Sequence, residues 1–221
     1  DIEGVSGVVS AAPQTSPEGK DYGRARELMT EEVNAAIAGA VKAGASEIVV
    51  NDSHGPMTNI LIEKVDPAAT LITGAPKPLS MMQGIGPDFD AVLFVGYHSK
   101  MGAPGILSHT ISGGSVADVW VNGIPVGETG INAGLAGHYG VPVVLVTGDD
   151  AVAAEARALL PHVHTATVKW AVNRQAARCL APVTARQVIA DATEKALRDL
   201  SSAKLWLPAA PVTFTIEFKD A

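Results

Sequence analysis

Short apolar runs with strand character alternate along the chain with alanine-rich stretches whose apolar positions recur at helical spacing. This alternation is typical of a mostly parallel sheet covered by helices. We therefore predict the α/β class, built as a three-layer αβα arrangement with a smaller C-terminal α+β subdomain. Because the pattern weakens after residue 160, we divide the chain into a metal-binding catalytic domain, 1–160, and a C-terminal subdomain, 161–221.

The same pattern predicts where the individual elements lie. Helices are expected at residues 18–43, about 60–64, 130–139, 150–160 and 184–200. Strands are expected at residues 46–50, 70–73, 90–96, 142–146, 163–171 and 212–218, with an Asn-Gly hairpin at 120–126. Gly44 is the predicted stop of the long first helix. The predicted N-cap of the helix at 150–160 is Asp149 or Asp150, and the predicted N-cap of the helix at 184–200 is Thr184.

Charge balance and cysteine usage narrow the function classes. Sixteen Lys and Arg residues against 23 Asp and Glu give a net charge of −7, which disfavours a nucleic-acid partner. The longest apolar runs, 91–96 and 141–146, are far shorter than the ~20 residues that span a bilayer, so no membrane partner is expected. The lone Cys179 cannot form an intrachain disulfide or a thiolate zinc site, and it favours a cytoplasmic location.

Polar loops follow the apolar runs at positions where an open α/β sheet binds its ligands, outside the carboxyl ends of its strands. These loops are residues 1–4, 51–55, 96–99 and 127–130. The imidazoles and carboxylates that they supply include Asp1, Glu3, His54, His98 and Glu128. Imidazole and carboxylate without thiolate is a ligand set that zinc, manganese or cobalt accepts in a catalytic site. The loops therefore predict a two-metal hydrolase.

His109 follows one loop beyond His98 and has three candidate roles: general base, proton donor or metal ligand. Its alternative is a hydrogen-bonded loop histidine. A dispersed set of this kind has no short-range motif behind it, so each histidine taken singly is more often structural than a ligand. The other histidines, His138, His162 and His164, are assigned to the surface.

Several other residues are of types found in catalytic or ligand-binding sites, but the sequence around them does not favour such roles. Ser53 and Ser108 are not in the G-x-S-x-G pattern of a serine hydrolase. The glycine-rich segments match neither phosphate-binding motif, so nucleotide binding is disfavoured. Cys179 is predicted to be a buried helix residue. Lys169 ends a predicted strand, and a solvated side chain is preferred there over a contact with a substrate carboxylate.

An ordered set of short motifs resembles one enzyme family. The motifs are Asp1-Ile-Glu-Gly, Val50-Asn-Asp-Ser-His-Gly, Gly96-Tyr-His, Ser108-His, Pro125-Val-Gly-Glu-Thr-Gly and Gly148-Asp-Asp. Their order and approximate spacing resemble the zinc-dependent D-aminopeptidases of the bacterial dipeptide-transport operon. The resemblance extends from Asp1 to about Phe218. Because the sequence begins with Asp-Ile-Glu-Gly and has no methionine there, we treat Asp1 as an internal position. Chains of this family continue beyond the end of this one.

The resemblance implies a function and a set of roles. Two zinc ions per subunit would be bridged by Asp1, with Glu3 and His98 completing one site and His54 and Glu128 the other. His109 would be the catalytic residue. The implied substrate is a short peptide with a D-residue at its amino end, and the implied assembly is a ring-shaped homodecamer.

Two alternatives stay open at this stage. The same metal centre could act as an L-aminopeptidase or on another amide, because pocket shape sets stereochemical preference and the sequence does not reveal it. A non-catalytic metal-binding subunit of a ring is the alternative from a different class. The presence of every candidate ligand favours the enzyme.

Overall fold

The structure, a computed structural model, describes residues 1–220. Its helices are α1 (Ala11–Thr15), α2 (Tyr22–Ala43), α3 (Glu128–His138), α4 (Asp150–Leu159) and α5 (Pro182–Arg198). Its strands are β1 (Val49–Asn51), β2 (Thr70–Ile72), β3 (Val92–Tyr97), β4 (Val116–Val121), β5 (Ile124–Pro125), β6 (Val143–Asp149), β7 (His164–Asn173), β8 (Ala176–Cys179) and β9 (Phe214–Phe218). Short 3₁₀ turns lie at Ile62–Lys64, Ser80–Met82 and Leu200–Ser202.

The strands form three sheets. The largest has the order β3-β6-β7-β8, in which the first three strands are parallel and β8 is antiparallel to β7. β1 and β2 form a parallel pair, and β5, β4 and β9 form an antiparallel sheet. The predicted α/β class with mostly parallel strands is therefore confirmed.

Different helix pairs cover the two faces of the largest sheet. Helices α2 and α5 pack on each other and on one face, where Leu145 and Ile189 are fully buried. Helices α3 and α4 cover the other face, where Val146 and Val152 are fully buried. This is the predicted three-layer arrangement, and both faces of β6 are consequently apolar.

Turn and cap chemistry explains several element boundaries. Gly44 ends α2 in the left-handed conformation, with φ of 96°. The Asp149 side chain accepts a hydrogen bond from the Val152 backbone N–H and caps α4. Both caps were predicted. Asn122 and Gly123 have φ of 51° and 78°, as the predicted hairpin requires.

Two predictions about the last helix and its surroundings are wrong. Helix α5 begins at Pro182 and is not capped by Thr184. A proline suits the first turn of a helix because its φ is fixed near the helical value and it has no N–H to leave without a partner. Cys179 lies half-buried at the end of β8 and not inside a helix. The predicted boundary after residue 160 falls between α4 and β7 and stays a prediction, with β7 beside β6 and β9 beside β4.

The C-terminal half of α3 packs closely on Trp206. A Cβ at Gly137 would lie 2.2 Å from the Trp206 carbonyl oxygen, and a Cβ at Gly134 would lie 3.0 Å from the Trp206 ring. A larger residue at Gly137 would therefore displace the backbone. Among the described residues, no helix combines the length and the apolarity that crossing a bilayer requires.

Candidate metal centre

The first turn of the chain is pressed against the carboxyl end of β3. The Gly4 backbone N–H donates to the Gly96 carbonyl at 2.7 Å. A Cβ at Gly4 would lie 2.0 Å from the Tyr97 carbonyl oxygen, so only glycine permits this approach. The turn thereby holds Asp1 and Glu3 beside the loop that carries His98.

The structure brings all the predicted site residues together. His98 follows β3 directly, Glu128 is the first residue of α3, and His54 lies three residues after the end of β1. His54 Nδ1 lies 3.3 Å from Asp1 Oδ1 and 2.9 Å from Glu3 Oε2. His98 Nε2 lies 3.4 Å from both Asp1 Oδ2 and Glu128 Oε2. Every one of these side chains except His54 is nearly inaccessible to water.

His109 completes the cluster from the loop between β3 and β4. Its Nε2 lies 3.9 Å from Glu128 Oε1, and its ring stacks on that of His98 with 4.1 Å between centroids. The ligand atoms of His98, His109 and Glu128 lie within 4.8 Å of one another, as do those of Asp1, Glu3 and His98. Two overlapping groups of candidate metal ligands thus share His98.

Each imidazole is oriented by a main-chain carbonyl. His54 Nε2 donates to the Thr15 carbonyl at 2.8 Å, and His98 Nδ1 donates to its neighbour Ser99 at 3.0 Å. His109 Nδ1 donates to the Leu107 carbonyl at 2.8 Å. Because a carbonyl only accepts, the ring nitrogen that faces it carries a hydrogen. The other ring nitrogen of each histidine faces the carboxylates. Metal-binding histidines are oriented in this way.

The carboxylates leave acceptors for a further partner. Glu128 Oε1 accepts from the Ile111 backbone N–H at 2.8 Å, and Asp1 Oδ1 accepts from Ile2 at 2.8 Å. Within residues 1–220, Asp1 Oδ2 and Glu3 Oε2 are buried without a hydrogen bond of suitable geometry, although His54 lies close to Glu3. Buried, unpaired carboxylate oxygens are costly. A divalent cation between them fits this donor set.

The charges of the cluster stabilise one another. Burial acts to raise the pKa of Glu3, but the nearby His54 outweighs it and holds that pKa well below its usual range. Burial likewise acts to lower the pKa of His98, but Glu128 and Glu3 raise it to about 9. His109 differs, because burial and the His98 charge lower its pKa. Its free Nε2 is therefore unprotonated at neutral pH and can accept a proton.

Sequence reasoning missed the residues behind the cluster. Lys169 was expected to be solvated, but it is fully buried in β7 and donates to main-chain carbonyls of the first loop. Burial lowers the pKa of Lys169 to about 8, so its ammonium keeps its charge at neutral pH. The position of this lysine inside a predicted strand, 163–171, was the available signal. Arg174 also escaped notice, and it donates to the Ser108 carbonyl beside His109.

The remaining histidines lie outside the cluster. His138 and His162 are exposed, and His164 Nε2 lies 3.1 Å from Asp199 Oδ2 at a distance from the ligand loops. Ser53 and Ser108 serve the loops: Ser53 Oγ donates to the Asn51 carbonyl, and the Ser108 carbonyl accepts from Arg174. These residues add nothing to the ligand set.

Imidazoles and carboxylates that converge beside the carboxyl end of β3 in an α/β fold are typical of one class of protein, the metal-dependent hydrolases with open catalytic sites. Comparison with known proteins narrows this class. The profile of the D-aminopeptidase family, Peptidase_M55, matches residues 1–221, and the chain belongs to this family. The expected resemblance is therefore confirmed, and with it the expected class of enzyme, a D-stereospecific metallo-aminopeptidase.

Individual relatives are similar over the whole chain. A D-aminopeptidase of Bacillus subtilis (strain 168) is 42% identical over 220 residues, which is 100% of this chain and 80% of that protein. A solved structure, the Zn-dependent D-aminopeptidase DppA from Bacillus subtilis, described as a self-compartmentalizing protease, matches with a TM-score of 0.96. It is 41% identical, and the match covers 100% of this chain and 80% of that one.

The charged cluster makes the metal-free protein sensitive to pH. The pKa of His98 is about 9 in the folded state against an ordinary 6.5, so its stabilising contribution is complete below pH 6.5 and is lost as pH rises toward 9. Between pH 6.5 and 8, the contribution of His98 to the free energy of unfolding of chelator-treated protein should therefore fall by roughly 1 to 2 kcal/mol. Urea unfolding at several pH values measures this change.

The control for that experiment is His98→Gln, which keeps a polar side chain but cannot titrate. Its pH slope should be shallower than that of the parent protein. A parent protein whose unfolding free energy is flat or rises over this range would contradict the assignment of the slope to His98.

Proposed function

We propose that this family member uses a two-zinc centre to remove the N-terminal residue, with preference for a D-residue, from short peptides. The observation that carries the two-ion proposal is the placement of Asp1 between two imidazoles. Its Oδ1 faces His54 at 3.3 Å and its Oδ2 faces His98 at 3.4 Å. One carboxylate with its oxygens turned toward separate histidines is arranged to bridge two cations.

The division of the remaining ligands between the two ions is taken from the family resemblance. We assign Glu3 and His98 to one ion and His54 and Glu128 to the other. The group of Asp1, Glu3 and His98 within 4.8 Å supports the first assignment. Zinc is supported by the donor set and by the zinc dependence of the solved Bacillus subtilis relative.

Zinc bound here would supply Lewis acidity for the scissile carbonyl and lower the pKa of a water molecule toward neutrality. The chain's own residues do the rest. His109 holds a free Nε2 at the rim of the cluster, where its side chain is 17% exposed and within reach of a substrate. Its lowered pKa suits it to accept a proton and pass it to the leaving amine.

The peptidase proposal is tested with matched D-Ala and L-Ala dipeptides. Release of free amino acid should require zinc, stop with a chelator and favour the D-peptide. Zinc measured in parallel should approach two equivalents per chain. A preference for the L-peptide would overturn the stereochemical part and keep the metal chemistry. Bound zinc without release from either peptide would favour the non-catalytic metal-binding alternative.

His109→Ala separates proton transfer from metal binding. The variant should keep its zinc and lose roughly 10²- to 10⁴-fold in kcat, because a positioned acid–base group is removed. Elemental analysis and steady-state kinetics measure the two effects. Asp1→Ala is the matched control and should lose zinc as well as activity. Near-normal turnover by zinc-loaded His109→Ala would contradict the catalytic role.

We also propose that the chain assembles with copies of itself, as a ring-shaped decamer by the family resemblance, in the cytoplasm. The support is β9, an edge strand whose Phe214, Ile216 and Phe218 alternate on one face and are 41–61% exposed. An apolar edge strand in water is a site of association. The solved relative is described as self-compartmentalizing.

Ile216→Glu tests this surface. A charge at the centre of the apolar face should lower the mass of the assembly measured by light scattering after size-exclusion chromatography. Thr215→Glu adds the same charge to the opposite face of β9 and should leave the mass unchanged. An unchanged mass for Ile216→Glu would exclude the β9 face as the contact.

A further inference from the structure

We propose that Lys169 is a positioning residue for the metal centre, acting through the loop that carries Asp1 and Glu3. Lys169 lies in β7 and is fully buried. Its Nζ donates to the Glu3 carbonyl at 2.5 Å, the Val5 carbonyl at 3.0 Å and the Val8 carbonyl at 2.5 Å. The proposal rests on the two-zinc site proposed above.

The match between donor and acceptors is complete. An ammonium group has three N–H donors and no acceptor, and here it meets three carbonyl oxygens. These carbonyls belong to a single loop and converge on one point. Because their dipoles point the same way, they would repel one another without a cation between them. The loop is thus folded around the Lys169 ammonium.

A second buried ionisable side chain holds the same loop from the helical layer. Glu32 of α2 is 3% exposed, and its Oε1 accepts from the Ser6 backbone N–H at 2.9 Å. Ser6 Oγ donates in addition to the Leu180 carbonyl at 2.7 Å. The loop is therefore held at its carbonyls by Lys169 of the sheet and at the Ser6 N–H by Glu32 of α2.

These contacts fix the backbone beside two proposed metal ligands, Asp1 and Glu3. The Glu3 carbonyl is fixed by Lys169, and the next residue, Gly4, donates its N–H to Gly96. The Glu3–Gly4 peptide group is consequently held at its carbonyl by β7 and at its N–H by the end of β3, where His98 begins its own loop. A shift of this segment would move the Asp1 and Glu3 carboxylates away from the imidazoles. Lys169 touches neither substrate nor metal, so its effect on chemistry passes through these ligands.

The test is zinc affinity rather than activity alone. Lys169→Met keeps the length of the side chain and removes the charge and the donors, and Lys169→Gln keeps two donors without the charge. Each folded, metal-free variant is titrated with zinc in competition with a chromophoric chelator. Lys169→Met should bind about 10- to 100-fold more weakly, the range found when a group that orients metal ligands is lost. Lys169→Gln should fall between Lys169→Met and the parent protein.

Leu160→Ala is the control for simple loss of stability. Leu160 is buried near Val143, at the opposite end of β6 from the site, and its truncation should lower the melting temperature without changing zinc affinity. The zinc dependence of activity is a second readout. Lys169→Met should need 10- to 100-fold more free zinc for half-maximal kcat and should recover most of its kcat at saturation.

The outcomes of these experiments distinguish the positioning role of Lys169 from the proposed two-zinc site. Zinc binding by the parent protein with unchanged affinity in Lys169→Met and Lys169→Gln would overturn the positioning role and leave the metal site standing. Weaker binding in Leu160→Ala to the same extent would also overturn it, because stability alone would then explain the effect. A parent protein that binds no zinc would overturn the metal site itself. If Lys169→Met does not fold, the affinity of Lys169→Gln decides.

Discussion

Three carboxylates buried within reach of three imidazoles are the constraint on which the rest of the structure depends. Asp1, Glu3 and Glu128 would repel one another and would each be costly to remove from water. The histidines offset this cost only in part, since two buried oxygens have no hydrogen bond among the described residues. The close approach at Gly4, the carbonyl that orients each histidine and the start of α3 at Glu128 all hold this unfavourable arrangement together.

The sequence predicted the parts of the molecule that repeat a strong local pattern. The α/β class, the stop at Gly44, the Asp149 cap and the Asn122-Gly123 hairpin each depend on residues adjacent in the chain. The convergence of His54, His98 and Glu128 was predictable for a different reason. The expectation rested on the carboxyl ends of parallel strands, which lie at one edge of a sheet. It holds for His98 after β3, whereas His54 and Glu128 follow strands of the two other sheets.

What the sequence could not show depends on contacts between distant segments. Lys169 is 166 residues from Glu3, and its burial follows from a loop folding over it rather than from its neighbours in β7. The start of α5 was missed for a local reason. Pro182 and Thr184 were both candidates for the helix start, and the fixed φ of proline favours the first turn. The pairing of β9 with β4 joins segments about 95 residues apart, and no periodicity records it.

Helix α3 connects the metal centre to a remote part of the surface. Its first residue is Glu128, a proposed metal ligand, and its other end packs on Trp206 through Gly134 and Gly137. A helix moves as a rigid rod, so a tilt at the tryptophan contact would swing the carboxylate at the opposite tip. The contacts of Gly134 and Gly137 with Trp206 therefore help to set the tilt of α3, and through it the position of the Glu128 carboxylate.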